Sequence, residues 1–140
     1  MINFSIKELN VSASYPSLVA RTLTVEEANN LLHLIADLLQ PIRDAWGSGI
    51  KVTSGFRPVA LNAKVGGVAS SAHTTGCAAD LIPANGKHAE FEKCVYKLAK
   101  SGKIKFDQII IEKSAKSRWV HVGLYNSQGK QRMQLFSLNT

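Results

Sequence analysis

A long amphipathic helix is predicted over residues 24–47, and it restricts the folds open to this chain more than any other segment. Thr24 and Glu27 have the spacing of a capping box, in which each side chain accepts a backbone N–H left unpaired in the first helical turn. Apolar side chains then recur every three or four residues, at Leu31, Ile35, Leu38, Leu39, Ile42 and Trp46. This pattern predicts a core helix that ends at Gly47 and is kinked near Pro41, whose nitrogen carries no hydrogen.

The rest of the chain alternates short strand patterns with turns. "FSIKEL" predicts a short helix begun by Ser5, and "IKVTSGF" a strand that runs into the long loop "RPVALNAKVGGVASSAHTTG". "CAADLIP" predicts a buried strand ended by Pro83. A second helix is expected from His88 to Lys100, with Phe91, Cys94, Val95 and Leu98 facing inward. "FDQIIIE" and "RWVHVGLY" predict a β-hairpin joined by "KSAKS", with "RMQLFSL" as a third strand beside it.

These elements indicate an α+β fold in which a small antiparallel sheet packs against helices. The chain has 140 residues, of which 45% are hydrophobic, so we expect a single domain over residues 1–140, with residues 1–23 as an extension packed on it. No apolar run approaches the roughly 20 residues of a membrane span, and the start "MINFSIKELN" lacks the pattern of a signal peptide. We therefore expect a protein that is synthesised in a cytoplasm and has no transmembrane segment, and separately we expect a monomer.

Cysteine and charge content limit the function further. Cys77 and Cys94 are expected to be free thiols, because no secretion signal accompanies them. Residues 1–86 hold 6 basic and 6 acidic side chains, whereas residues 87–140 hold 11 and 4, so the net charge of +7 arises entirely in the last third (11 − 4 = 7). This asymmetry is typical of a face that meets an anionic polymer, although a merely solvated surface explains it equally well.

Three residues have the chemistry of metal ligands. His73 and Asp80 lie seven positions apart in "SSAHTTGCAAD", where Gly76 and the alanines permit a bend and close backbone approach. A catalytic zinc ion typically takes three protein ligands, and His121, in the strand-like run "WVHVG", is the candidate third. Taken singly, each has a more ordinary interpretation, a core histidine or a turn aspartate. His33 and His88 are interpreted in that structural way.

The motifs together resemble a known family. "SAHTTGCAAD" fits the pattern S-x-H-x-x-G-x-A-x-D, with "SGFR" upstream and "WVH" downstream in the proper order. This combination is similar to the zinc D-Ala-D-Ala carboxypeptidase family of bacterial cell-wall peptidases, whose metal-site core is shared with the hedgehog signalling domain. The resemblance covers roughly residues 24–123. Within the family, the small single-domain members of phages and prophages are the most similar.

The resemblance implies roles for individual residues. His73, Asp80 and His121 correspond to the zinc ligands. Arg57, from "SGFR", corresponds to the arginine that binds the substrate carbonyl and stabilises the oxyanion, a task suited to a guanidinium fork. Ser71 corresponds to the motif serine near the substrate carboxylate, although a loop hydroxyl bonded to its own backbone is an equally good interpretation.

The general base is the point at which this sequence departs from the family. Many members place an acidic residue three positions before the last histidine ligand, and Arg118 stands there in this chain. Glu112, at the end of "DQIIIE", is the expected replacement, provided that the hairpin register turns it to the same side as His121. Asp107 is the second candidate, or else it orients a histidine ligand.

Trp119, two residues before His121, is expected to share the ligand's face, where it would line the cleft and contact substrate or else belong to the core. The leading hypothesis is a zinc metallopeptidase that cleaves the stem peptide or cross-link of bacterial peptidoglycan, aided by binding to anionic wall polymers, as a phage lysin or virion component would. The alternative is a non-catalytic, zinc-stabilised wall-binding module, which Arg118 keeps open. Nucleic-acid binding is not expected, because no motif for it is present.

Overall fold

The computed structural model describes residues 2–13, 15–19, 22–68 and 70–139. The helices are α1 (Val25–Leu34), α2 (Gln40–Trp46), α3 (Val59–Lys64) and α4 (His88–Lys100). The strands are β1 (Ile50–Ser54), β2 (Ala78–Pro83), β3 (Gln108–Lys113), β4 (Arg118–Gly123) and β5 (Gln134–Asn139). Short 3-10 turns cover Pro16–Leu18 and Ala72–Thr75. No helix among the described residues is long and apolar enough to cross a membrane.

The predicted capping box begins α1. The Thr24 hydroxyl accepts the backbone N–H of Glu27 at 3.1 Å, and the Glu27 carboxylate accepts the backbone N–H of Thr24 at 2.9 Å. A π-helical segment, Ile35–Leu39, connects α1 to α2, which ends at Gly47 with φ 76. The kink near Pro41 stays a prediction, and the helix has a π-helical turn just upstream, where Gln40 N–H bonds Ile35 O, five residues back.

The five strands form one sheet in the order β1-β2-β4-β3-β5. The first four strands pair antiparallel, and β3 and β4 make the expected hairpin. β5 pairs with β3 in parallel, so the sheet is mostly rather than wholly antiparallel. β4 ends beside the start of β3, and a connection of ten residues, 124–133, crosses this end of β3, so β5 begins on its other side and runs parallel to it.

Alternate side chains of the strands enter the hydrophobic core. These strand side chains are almost completely buried against the helices, and they are Val52, Ala79, Leu81, Ile109, Ile111, Val120 and Val122. The helices contribute Leu31, Leu34, Ile35, Leu38, Leu39, Ile42, Phe91 and Val95. The N-terminal segment adds Phe4 and Leu9. The opposite side chains of the strands lie on a face of the sheet that is only partly covered, called here the open face.

Two local predictions were wrong. "FSIKEL" is a turn, in which Leu9 N–H bonds Ile6 O, and the chain then leaves to pair with the residues after β1, where Phe56 N–H bonds Leu9 O at 2.7 Å. The segment predicted as one long loop contains α3 and the 3-10 turn Ala72–Thr75. A helix as short as α3 has too few residues to show a helical periodicity, and its form depends on the surrounding fold.

Candidate metal centre

The fold brings His73, Asp80 and His121 together from three separate elements. Asp80 on β2 lies directly opposite His121 on β4, so both side chains emerge on the open face. His73 lies in the 3-10 turn that precedes β2. Gly76 ends this turn with φ 82, a conformation that favours glycine, and a Cβ there would lie 3.1 Å from the Glu27 carbonyl oxygen in α1. The bend predicted at Gly76 is therefore present.

The three potential ligand atoms form a nearly equilateral triangle. His73 Nε2 lies 3.2 Å from His121 Nδ1 and 3.3 Å from Asp80 Oδ1, and the last two atoms are 3.1 Å apart. Atoms bound tetrahedrally to zinc at about 2.0–2.1 Å lie about 3.3–3.4 Å from one another. The triangle therefore has the dimensions of one face of a zinc coordination shell, and this cluster could hold a metal ion.

The protonation of His73 supports the same interpretation. Its Nδ1 lies 2.7 Å from the carbonyl oxygen of Gly55, which can only accept, so Nδ1 carries the proton. Burial lowers the pKa of His73, and the imidazole is therefore neutral near pH 7. A neutral ring with a proton on Nδ1 has a lone pair on Nε2, and this lone pair points into the triangle. A backbone carbonyl that fixes the tautomer of a ligand histidine is a usual feature of metal sites.

Asp80 is nearly buried, with 8% of its surface exposed, yet it is ionised. Burial alone would raise its pKa, but the electrostatic and hydrogen-bonding contacts of the carboxylate with the rings of His73 and His121 hold the pKa well below its usual range. The site thus presents a carboxylate and two imidazole nitrogens that are largely shielded from solvent. Such a concentration of polar groups costs stability and is typical of functional sites.

Arg57 lies beside this triangle and is fixed at three nitrogens. Nη2 donates to Asp80 Oδ2 at 3.3 Å, Nε to Ser54 Oγ at 3.2 Å and Nη1 to Asn62 Oδ1 at 3.4 Å. Burial lowers the pKa of Arg57, although Asp80 and Glu112 oppose this effect. The guanidinium remains charged and points into a cleft that Asp80 and Trp119 also line.

Glu112 satisfies the register condition for a general base. Glu112 pairs with Trp119, and Ile110 pairs with His121, so all four side chains lie on the open face. Trp119 Nε1 donates to Glu112 Oε2 at 2.9 Å. Burial raises the pKa of Glu112, and the charge of Asp80 adds to this effect.

Asp107, the other candidate base, is placed differently. Both of its oxygens accept from Arg132, at 2.7 Å from Nε and 2.8 Å from Nη2, and Oδ1 also accepts the Arg132 backbone N–H at 3.1 Å. Only 2% of Asp107 is exposed. These contacts favour Glu112 as the base, because the Asp107 oxygens are occupied and shielded from a water molecule in the cleft.

Arg118, which stands where many family members have an acidic residue, forms an ion pair. Its Nη2 and Nε donate to the two oxygens of Glu92 on α4 at 2.7 and 3.1 Å. Because Arg118 and Trp119 are neighbours on β4, their side chains leave opposite faces of the strand. The position thus contributes a bond between β4 and α4.

Ser71 makes the hydrogen bond to nearby backbone that one of its two interpretations predicted. Its hydroxyl accepts the His73 N–H at 3.2 Å and begins the 3-10 turn. The Arg57 backbone N–H, in turn, donates to the His73 carbonyl at 2.9 Å. Ser71 therefore helps to fix the position of a potential ligand, and its contact with substrate stays a prediction.

Two supporting residues were missed by the sequence reasoning. A Cβ on Gly55 would lie 1.9 Å from the Leu9 carbonyl oxygen, so only glycine permits the approach that sets its own carbonyl against His73. Asn62 is 4% exposed, accepts from Arg57 and donates to the Val68 carbonyl at 2.8 Å. Gly55 lies inside the quoted "SGFR" and could have been noticed there. Asn62 gave no signal, because it was assigned to an irregular loop.

Two nitrogens and one carboxylate oxygen, set beside a fixed arginine and a carboxylate, define the site of a candidate metallohydrolase. Residues 3–123 match the Peptidase M15 family, and the chain therefore belongs to that family of metallopeptidases, which are similar to zinc D-Ala-D-Ala carboxypeptidases. The resemblance to the zinc D-Ala-D-Ala carboxypeptidase family expected from the motifs is confirmed, and the α+β fold agrees with it, whereas the phage or prophage type stays a prediction. None of the curated proteins matches the chain.

Proposed function

We propose that this protein is a zinc-dependent peptidase that hydrolyses a peptide bond in the stem peptide or cross-link of bacterial peptidoglycan. The observation that carries the proposal is the triangle of His73, Asp80 and His121, with ligand atoms 3.1–3.3 Å apart, inside a chain of the Peptidase M15 family. These three residues are the proposed ligands. Bound zinc supplies Lewis acidity, which activates water near neutral pH and polarises a carbonyl group.

The chain's own residues supply the remaining steps. Glu112 accepts the proton of the attacking water and delivers it to the amine that leaves. Trp119 holds the Glu112 carboxylate through its indole N–H and lines the cleft, where it contacts substrate. The position of Glu112 on the open face, in the same sheet as Asp80 and His121, supports this assignment.

Arg57 donates hydrogen bonds to the scissile carbonyl oxygen as negative charge develops on it. Three contacts, to Ser54, Asn62 and Asp80, hold the guanidinium in place before substrate arrives, so little reorganisation is needed. Ser71 is proposed to contact the substrate at the edge of the site, a role supported only by its position in the motif.

A hydrolysis assay separates this enzyme from a non-catalytic wall-binding module that also holds zinc. Purified peptidoglycan is incubated with zinc-loaded wild type and with Glu112→Gln, and newly released amino groups are measured. Release by the wild type, with a large loss in Glu112→Gln at unchanged zinc content, is the expected result. Zinc bound by both proteins with no release by either would instead favour the module.

The basic last third is proposed to retain the enzyme on anionic wall polymers. Eight of its lysines are exposed: Lys87, Lys93, Lys97, Lys100, Lys103, Lys105, Lys116 and Lys130. Co-sedimentation with purified cell walls tests this role, and we expect retention to weaken as ionic strength rises. Equal retention at low and high salt would exclude an electrostatic origin.

We further infer one monomeric domain over residues 1–140, a lysin or virion component that acts on the wall. Burial of Phe4 and Leu9 in the same core as Val120 supports an N-terminal segment packed on the domain. Light scattering at several protein concentrations tests the monomer, for which the expected mass is that of one 15.2 kDa chain. A mass near twice that value would contradict it.

A further inference from the structure

Strand β5 lies outside the segment that matches the family, which ends at residue 123. It forms one edge of the sheet and pairs in parallel with β3, the strand that carries Glu112. In this register, Phe136 is the partner of Ile110 and Leu138 is the partner of Glu112. The residue beside the candidate base is therefore supplied by a part of the chain that family membership does not explain.

Phe136 and Leu138 share the open face with the metal centre. Cross-strand partners point to the same side of a sheet, so the row Asp80, His121, Ile110 and Phe136 lies on one face. Neighbouring strands are about 4.8 Å apart, which places the backbone of Phe136 about 10 Å from that of His121. Leu138 is one strand from Glu112, about 4.8 Å away.

Both apolar side chains remain open to solvent, with 39% of Phe136 and 41% of Leu138 exposed. Their strand is nevertheless held firmly. Arg132, just before β5, is bonded at its backbone and guanidinium to the buried Asp107. Met133 N–H then bonds Phe106 O at 3.1 Å, and Gln134 N–H bonds Asp107 O at 2.9 Å. These contacts set the β5 register, so the two side chains have a defined place beside the site.

The order of the site residues across the sheet indicates which part of a substrate meets β5. Arg57 bonds Ser54 on β1 and Asp80 on β2, so it lies toward one edge of the sheet, whereas Glu112 on β3 lies toward the other. In the proposed function, the scissile carbonyl oxygen faces Arg57, and the leaving amine faces the group that protonates it, Glu112. The residues after the scissile bond therefore extend across β3 toward β5.

We propose that Phe136 and Leu138 form an apolar subsite that binds an uncharged side chain of the substrate on the leaving-group side of the scissile bond. The inference rests on the proposed peptidase function and specifies the substrate of the same site. A substrate that covers these side chains gains their apolar burial, while a charged side chain there would lose hydration without a partner.

The test compares Phe136→Ala, Leu138→Ala and the double variant with wild type. The probe is a soluble disaccharide-peptide dimer released from purified peptidoglycan, and the bond that is cut is identified by mass spectrometry. Leu32→Ala is the matched control, because Leu32 is 50% exposed on α1, away from the strands. Thermal unfolding of every variant checks that the sheet is intact.

We expect each single variant to raise KM about fivefold and to change kcat by less than about twofold, the effect of removing part of an apolar contact. Synthetic peptides with leucine or aspartate after the identified bond provide a second readout. Wild type should prefer leucine, and the double variant should lose that preference. Unchanged KM and unchanged preference in active variants would overturn the subsite and leave the peptidase function standing.

Failure of the proposed function gives a different pattern. If the zinc-loaded wild type cleaves none of these substrates, binding of the same disaccharide-peptide dimer is measured by NMR titration of wild type and variants. Weaker binding by Phe136→Ala and Leu138→Ala, with Leu32→Ala unchanged, would support the subsite alone. Equal affinities in all four proteins would overturn it.

Discussion

The two faces of the single sheet differ although the same strands build both. On β3, Ile109 and Ile111 point into the core and are 0% and 8% exposed, while Ile110 and Glu112 between and beside them lie on the open face. The core face is apolar and closed by helices. The open face gathers the ionisable side chains of the candidate site.

This difference shows how the protein separates stability from chemistry. A strand of alternating pattern fixes its register through the core face, because a slip of one residue would bury Glu112 or His121. Once the register is fixed, the open-face side chains are aligned across neighbouring strands. Asp80 and His121 meet in this way, and Glu112 meets Trp119. The apolar face thus positions the polar one.

The largest effect is expected from substituting, one at a time, two adjacent residues of β4 that lie on opposite faces of the sheet. His121→Ala removes a proposed ligand, and hydrolysis should fall about a thousandfold or more, since metal catalysis supplies several kcal/mol. Val122→Ala, on the core face, should keep zinc and activity but lower the free energy of unfolding by about 2 kcal/mol. Zinc content, hydrolysis and chemical denaturation measure both variants. Loss of zinc in Val122→Ala alone would break the comparison.

The next largest effect distinguishes Glu112 from Asp107 as the general base. Glu112→Gln should lower kcat by about 10²–10⁴ with zinc content unchanged, because the general base is lost. Asp107→Asn should change kcat less than tenfold but lower the free energy of unfolding by about 2 kcal/mol, since its charged hydrogen bonds to Arg132 are weakened. Steady-state kinetics and denaturation decide between them. A larger kcat loss in Asp107→Asn would show that the base was assigned to the wrong residue.

Arg57→Lys should lower kcat about a hundredfold, because a lysine ammonium cannot reproduce the orientation of a guanidinium held by hydrogen bonds from three nitrogens. Arg43→Lys on α2 is the control and should leave kcat within about twofold. Kinetics at saturating substrate, with zinc content checked, measure the effect. Equal rates for Arg57→Lys and wild type would remove Arg57 from the catalytic residues.

The smallest effect is a shift of the pH profile. Glu112 must be ionised to accept a proton, so kcat/KM falls as pH drops through its pKa. Burial raises this pKa, whereas the Trp119 hydrogen bond stabilises the carboxylate and lowers it. Trp119→Phe removes that bond and should move the acidic limb to higher pH, as measured by kcat/KM against pH. A shift to lower pH would contradict the assigned contact.

Much of the architecture follows from local patterns in the sequence. The capping box, the apolar stripe and Gly47 predicted the first helix, and α4 has the bounds expected, His88–Lys100. The strands were recognisable because each is a short apolar run between turn residues. The three potential ligands were identified from motif spacing, and the structure brings them together.

Other features depend on contacts between distant residues and could not be predicted. The hairpin pattern allows several registers, and the pairing of Glu112 with Trp119 depends on how both strands fill the core. The parallel pairing of β5 with β3 is accompanied by the Asp107–Arg132 ion pair, which joins residues 25 positions apart. The hydrogen bond from His73 to the Gly55 carbonyl joins residues 18 positions apart, and Leu9 of the N-terminal segment packs closely against Gly55.

The most direct test of the central claim is metal dependence of peptidoglycan hydrolysis by the wild-type protein. Amino-group release is measured before chelation, after complete removal of metal and after addition of stoichiometric zinc. A zinc peptidase should release amino groups at first, release none after chelation and recover fully with added zinc. Release that persists in metal-free protein, or no release from protein loaded with one zinc per chain, would contradict a zinc peptidase built on His73, Asp80 and His121.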